Sequence, residues 1–68
     1  MSVAKVIEIT SSSPRSFEDA VKQGVTRAGT TIDNITGAWV SEEKVVVTDG
    51  EISEWRVVMR VTFLLEGE

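Results

Sequence analysis

The sequence predicts an α+β domain of order β-α-β-β, and three features of its 68 residues indicate this. An alternating run opens the chain, an amphipathic helical pattern follows, and two long runs rich in β-branched residues complete it. The dipeptide Asp49-Gly50 separates these last two runs and is a strong signal for a two-residue hairpin. A chain of this length predicts one domain, residues 1–68.

The first strand is predicted at about residues 3–10. Side chains alternate there between two faces, with Ile7 and Ile9 on one and Val6 and Glu8 on the other. The following segment 11–14, Ser-Ser-Ser-Pro, is expected to end the strand, because proline cannot donate to a sheet and serines favour local turns.

The helix is predicted at about residues 17–32. Ser16 and Asp19 resemble a capping box with aspartate in place of glutamate. Gly24 and Gly29 each cost a helix up to ~1 kcal/mol relative to alanine, which suggests a close approach to a strand or a neighbouring subunit. The apolar positions follow three- and four-residue steps and form one stripe: Phe17, Ala20, Val21, Val25, Ala28 and Ile32.

The second and third strands are predicted at about residues 35–48 and 52–66. Strands of roughly a dozen residues are long for so short a chain, since five or six is usual. Alternation divides the third strand into a core face and an amphipathic face. The core face contains Trp55, Val57, Met59, Val61, Phe63 and Leu65, and the other contains Arg56, Val58, Arg60, Thr62 and Leu64.

The composition favours self-association. A domain of this size hides only about 60% of its unfolded surface, and small domains usually add disulfides, metals or partner subunits. The chain has no Cys and no His. One helix covers only one face of a three-stranded sheet, so Val6, Val58 and Leu64 are predicted to form a subunit interface, the alternative being ordinary exposed aliphatic residues.

Several classes of function are disfavoured by the same composition. The net charge is −4 and the basic residues are scattered, whereas nucleic-acid binding needs clustered cations. No apolar run approaches the ~18 residues of a membrane span, and the first residues lack the apolar region of a signal peptide, so we expect a cytoplasmic protein. Without His, Cys or a glycine-rich phosphate loop, no catalysis is expected.

Short motifs in order along the chain carry a resemblance to a known family. They are the segment 5–9 (KVIEI), the helix entry 12–17 (SSPRSF), Arg27-Ala28, Asp33-Asn34 and the segment 56–65 (RVVMRVTFLL). Together they resemble the dodecins, small proteins that assemble as hollow spheres of twelve subunits, many of which bind flavins in pairs. The resemblance implies a three-stranded antiparallel sheet partly wrapped around one helix, a homododecamer and no catalysis.

The resemblance also implies cofactor-binding positions. In flavin-binding dodecins a Trp near the start of the second strand stacks on the flavin ring, and a Gln on the third strand binds its polar edge. The matching positions are Gly37 and Arg56. Trp39 shares the strand face of Gly37 and could supply the missing ring, or be a structural or interface residue. Arg56 could donate to a carbonyl or phosphate of riboflavin or FMN, or pair with a glutamate such as Glu42 or Glu43 across the hairpin or across the subunit boundary.

A second branch, the calcium dodecins, looks similar at these positions, with no Trp at the flavin position and an Arg in place of the Gln. Calcium takes six to eight oxygen ligands, which a spherical oligomer can gather at its symmetry axes. No motif assigns ligands, so the metal residues stay unknown. The carboxylates available, each also readable as a solvated or paired surface charge, include Glu8, Glu18, Asp19, Glu51, Glu54, Glu66 and Glu68.

Two main hypotheses therefore stay open. The first is a shell that stores or sequesters a small flat ligand, foremost a flavin, in pockets between subunits near Gly37, Trp39 and Arg56. The second is a flavin-free structural or cation-binding assembly. A module that recruits other proteins through a sheet edge is a third reading.

Overall fold

A computed structural model describes residues 3–65 and contains one helix and three strands in that range. The strands pair in the order β1-β3-β2, and both pairs are antiparallel. The predicted β-α-β-β order and three-stranded antiparallel sheet are thus confirmed, with β3 as the central strand. The elements are β1 (Ala4–Ser13), α1 (Phe17–Ala28), β2 (Ile35–Thr48) and β3 (Glu51–Leu64).

Strand β1 is longer than the sequence predicts. It continues three residues past the expected end at Thr10, and its last residue, Ser13, pairs with Trp55 on β3. The Ser13 side chain is 1% exposed, donates a 2.6 Å hydrogen bond to Oδ2 of Asp19 and accepts one from the backbone N–H of Arg15. Pairing with the central strand therefore outweighs the turn preference of the serines.

Helix α1 begins where predicted and ends early. Ser16 is the N-cap and accepts a 3.0 Å hydrogen bond from the backbone N–H of Asp19, which confirms one half of the predicted capping box, whereas the Asp19 carboxylate accepts from Ser13 instead of returning to Ser16. The helix ends at Ala28, whereas the apolar pattern predicts an end at Ile32. Gly29 is the C-cap, and Thr30 already donates to the carbonyl of Arg27, three residues back, so a tighter turn replaces the last helical turn.

The core lies between α1 and one face of the sheet. Its fully buried apolar residues are Ala20, Val57, Met59 and Val61. Three of these belong to the predicted core face of β3, which confirms that alternation. The helix residues packed against the cluster are also those of the predicted stripe: Phe17, Val21 and Val25.

Gly24 allows α1 to approach the sheet closely. A Cβ atom at Gly24 would lie 2.5 Å from Cε of Met59 and 3.0 Å from Cβ of Ser11, on the two strands beneath. The predicted close approach is therefore confirmed at Gly24. Gly29 has no such neighbour, since a Cβ there would make only ordinary contacts of 3.4 and 3.5 Å with helix carbonyls.

This contrast gives a matched pair of substitutions. We expect Gly24→Ala to lower the free energy of unfolding by about 1 kcal/mol. Overpacking costs roughly 1–3 kcal/mol, and the better helix propensity of alanine offsets about 1 kcal/mol of that cost. Gly29→Ala is expected to cause no loss. Thermal unfolding at one fixed subunit concentration measures both, and equal midpoints for the two variants would contradict the close approach at Gly24.

The subunit is elongated, and its sheet extends well beyond its helix. The molecule measures 53 × 20 × 13 Å, and its radius of gyration of 14.1 Å exceeds the roughly 11 Å of a compact chain of this length. A 12-residue helix is about 18 Å long, whereas 14-residue strands span about 46 Å. Within residues 3–65, much of the helix-facing side and all of the opposite side of the sheet therefore lack cover.

Bulges set which β2 side chains face away from the helix. Register shifts insert Thr36 and Ser41 into β2, and the hydroxyl of Ser41 donates to the carbonyl of Val58. We call the sheet surface opposite α1 the open face. From the strand pairing, it carries Val6, Glu8, Thr10, Ser12, Gly37, Trp39, Glu42, Lys44, Arg56, Val58, Arg60, Thr62 and Leu64.

Candidate ligand site on the open face

The three residues predicted from the sequence to bind a cofactor all lie on the open face. Gly37 pairs with Thr62 and Trp39 with Arg60, so these two positions are adjacent there. Arg56 pairs with Lys44, four residues along β3 from Arg60, a separation of about 13 Å. One subunit therefore brings Gly37 and Trp39 together but holds Arg56 apart from them.

Gly37 leaves an open space beside Trp39. Apart from Gly37 and its two chain neighbours, no heavy atom of residues 3–65 lies within 4 Å of a Cβ built at Gly37. Its backbone is also outside the positive-φ region, which in residues 3–65 is occupied by Asn34, Asp49 and Gly50. A larger side chain, or a ligand, thus finds room at this position within the subunit.

Trp39 is an exposed aromatic platform with a cation on its ring. Its side chain is 63% exposed, and the guanidinium carbon of Arg60 lies 5.5 Å from the ring centroid. Such a cation–π contact stabilises by about 0.5–1 kcal/mol at an exposed site. Trp39 has no part in the core of the subunit, so its ring is available to a ligand or to another subunit.

Arg56 is engaged by neighbours within the subunit. Its Nε donates to Oγ of Ser12 at 3.1 Å, and Nη2 donates to Oε1 of Glu54 at 2.9 Å. The sequence-based pairing with Glu42 or Glu43 is wrong within the subunit. Arg56 pairs instead with Glu54, which lies two residues away on the same strand and points to the same face.

Arg60 is the neighbour of Trp39 that sequence reasoning missed. Equal steps along both strands from the Asp49-Gly50 turn place Arg60 opposite Trp39, and the structure keeps that pairing. It does so because the bulges near Ser41 and Ser53 lie on opposite strands and cancel at this position. Counting from the hairpin was thus the signal that could have found Arg60.

The acidic candidates do not gather within the subunit. In the described range, 3–65, no three acidic side chains come close enough to hold a metal ion. Glu18 forms a 3.7 Å ion pair with Lys22, Asp19 accepts from Ser13, and Glu54 pairs with Arg56. Glu8 lies opposite Arg60 and Glu51 is exposed beside the turn, while Glu66 and Glu68 are outside the described residues.

Comparison with known proteins relates this chain to the dodecins, both by family model and by sequence identity. The dodecin family model matches residues 3–66. The calcium dodecin of Mycobacterium tuberculosis is 38% identical over 63 residues, which cover 93% of this chain and 89% of that protein.

Two solved structures resemble the fold over almost its full length. The dodecin from Streptomyces davaonensis has a TM-score of 0.93 and 32% identity, covering 97% of both chains. The structure of the Mycobacterium tuberculosis calcium dodecin, described as calcium-chelating with a novel calcium-binding site, has a TM-score of 0.83 and 36% identity, covering 97% of this chain and 94% of that one.

These likenesses, with the two-sided sheet and its exposed platform, define a small binding protein and not an enzyme. The chain belongs to the dodecin family, whose members form oligomeric assemblies. Over residues 3–65, no helix has the length and hydropathy needed to cross a membrane.

Proposed function

We propose that the protein is the subunit of a closed homododecameric shell that binds a small ligand where subunits meet on the open face. The observation that carries this proposal is the uncovered apolar surface of that face. Val6, Trp39 and Leu64 are exposed there, and no helix or strand within residues 3–65 covers this face. The thin core, with four fully buried apolar side chains among residues 3–65, also favours partner subunits as the source of stability.

The ligand class that fits the platform is a flat aromatic molecule, foremost a flavin such as riboflavin or FMN. Its ring would lie on Trp39 and extend into the open space at Gly37. The guanidinium of Arg60 would donate to a carbonyl edge or phosphate. Arg56 joins such a site only if another copy of the chain brings it there.

Binding is tested by titrating the assembled protein with riboflavin and FMN. We expect quenching of Trp39 emission, and tighter binding of FMN because Arg60 contacts the phosphate. Trp39→Ala should weaken binding. Trp55→Phe is the matched control, because Trp55 faces the helix side and its removal leaves the platform intact. Equal affinity of Trp39→Ala and the unchanged protein would return Trp39 to a structural or interface role.

Light scattering tests the shell itself. A mass near twelve times the 7.4 kDa of the chain is expected. A monodisperse monomer at micromolar concentration would contradict both the shell and any site between subunits.

Divalent-cation binding is the second candidate, favoured by the 38% identity to a calcium dodecin and by the absent ring at Gly37. Since residues 3–65 gather no acidic cluster, such a site would take carboxylates from several copies. Calorimetric titration of the assembly with calcium, against magnesium as control, tests this. Saturation below one calcium per chain would support a shared site, and absence of bound calcium in equilibrium dialysis of the assembly would exclude the candidate.

A further inference from the structure

A groove of about 800 Å³ runs between α1 and the free edge of β1. Residues 9–15 line it without a gap, so side chains of both strand faces contribute and the groove follows the strand edge itself. On the helix side it is lined by Asp19, Gln23, Thr26 and Arg27, which share one polar stripe. Strand β1 pairs with β3 without a bulge, so its free edge is regular.

The groove is lined by both apolar and polar side chains and carries two cations that form no ion pair within residues 3–65. Seven lining residues bear hydroxyl groups: Thr10, Ser11, Ser12, Ser13, Thr26, Thr30 and Thr31. Arg15 and Arg27 also line it, and neither forms an ion pair within the described part of the chain. The one acid present, Asp19, already accepts from Ser13. The surface is therefore locally basic on a chain of net charge −4.

The end of the β2–β3 hairpin has the complementary character. We call residues 46–54 the hairpin tip; β1 stops at the level of Trp55, so the tip has no third strand beside it. Val47 and Ile52 are 58% and 47% exposed. Asp49 and Glu51 form no ion pair within residues 3–65.

We propose that the hairpin tip of one copy docks in the α1–β1 groove of the next, with its acids facing Arg15 and Arg27. The occupant is the tip of a second copy, because its acids and apolar side chains complement the groove, whereas the tip of the same chain extends past the end of β1 and beyond its own groove. The tip can also pair with the regular free edge of β1. This rests on the proposed shell and specifies one of its contacts.

The resemblance to the dodecins implies tetrahedral symmetry for twelve chains, whose rotation axes are twofold or threefold. A tip-to-groove contact joins two different surfaces: repeated head to tail it closes as a ring of three on the threefold axis, whereas a reciprocal pair on the twofold axis would stop at two copies. The proposal places the contact on the threefold axis, as a ring of three copies.

Cysteine cross-linking tests the contact cleanly, because the chain has no Cys of its own. The double variant Glu51→Cys/Gln23→Cys, treated with a short bismaleimide, is expected to give covalent dimers and trimers and nothing larger. The control is Glu51→Cys/Lys22→Cys, since Lys22 is the adjacent helix residue but does not line the groove and its side chain is 73% exposed. It should give no cross-link.

The mass before cross-linking separates the two proposals. A twelvefold mass with no more cross-linking than the Lys22 control would overturn the tip-to-groove contact and leave the shell standing. A monomeric mass of the unchanged protein would remove both. Covalent species larger than trimers would overturn the ring of three.

A charge exchange provides an independent variant should the cysteines impair assembly. Arg27→Glu and Glu51→Arg should each reduce the assembled fraction at least tenfold, and their combination should restore it. Failure of the combination to restore assembly would overturn the pairing of these charges.

Discussion

Replacing Val58 with glutamate is expected to break the assembly down to units of no more than three 7.4 kDa chains, because the open-face contacts are lost while the tip-to-groove contact is untouched. Val58 lies at the centre of the open face, between Thr10 on β1 and Glu42 on β2. The new carboxylate would stand beside Glu42 and be covered by a neighbouring copy. A buried charge without a partner costs about 3–5 kcal/mol, and every copy in the shell would carry it. Light scattering across a concentration series measures the loss.

The control for this experiment is Lys22→Gln, which changes the net charge by the same amount on the exposed side of α1. We expect it to keep the twelvefold mass. Full assembly of the Val58→Glu variant would show that the open face is not where the copies meet.

Gly37→Trp is expected to strengthen riboflavin binding at least about tenfold, or ~1.4 kcal/mol. The subunit has room for the ring, since apart from Gly37 and its two chain neighbours no heavy atom of residues 3–65 lies within 4 Å of the Cβ position. The ring would stand beside Trp39 on the same face. By analogy with base–aromatic contacts, a stacking platform contributes of order 1–3 kcal/mol. Fluorescence quenching at several protein concentrations gives the affinity.

Gly37→Ala is the matched comparison for that gain. It fills part of the same space without an aromatic ring, and we expect its affinity for riboflavin to stay close to that of the unchanged protein. If the tryptophan and alanine variants bind equally, stacking at position 37 contributes nothing to the site.

The element order was predictable because its signals are local. Alternation in β3, the helical stripe and the Asp49-Gly50 turn each lie within a few neighbouring residues. The ends of β1 and α1 were not predictable, since they depend on residues distant in the sequence. Ser13 is held in the sheet by Trp55 and bonds Asp19, which overrides its turn preference. The apolar pattern continued to Ile32 although the helix had ended at Ala28.

The candidate site was also predictable only in part from the sequence. The shared face of Gly37 and Trp39 follows from alternation, because no bulge separates them. The partner of Arg56 did not follow, since the choice between Glu54 and the acids of β2 depends on register. Arg60 reaches Trp39 only because two bulges compensate, and neither bulge has a clear signature in the residues around it.

The extra residues in β2 also affect chains that have not yet assembled. This strand is an outer one, and 14 residues of regular backbone would offer any extended polypeptide a row of free donors and acceptors. Thr36 and Ser41 interrupt the spacing of that row and increase its local twist. The irregularity discourages fibrillar stacking during the interval between synthesis and assembly, when such surfaces are most exposed.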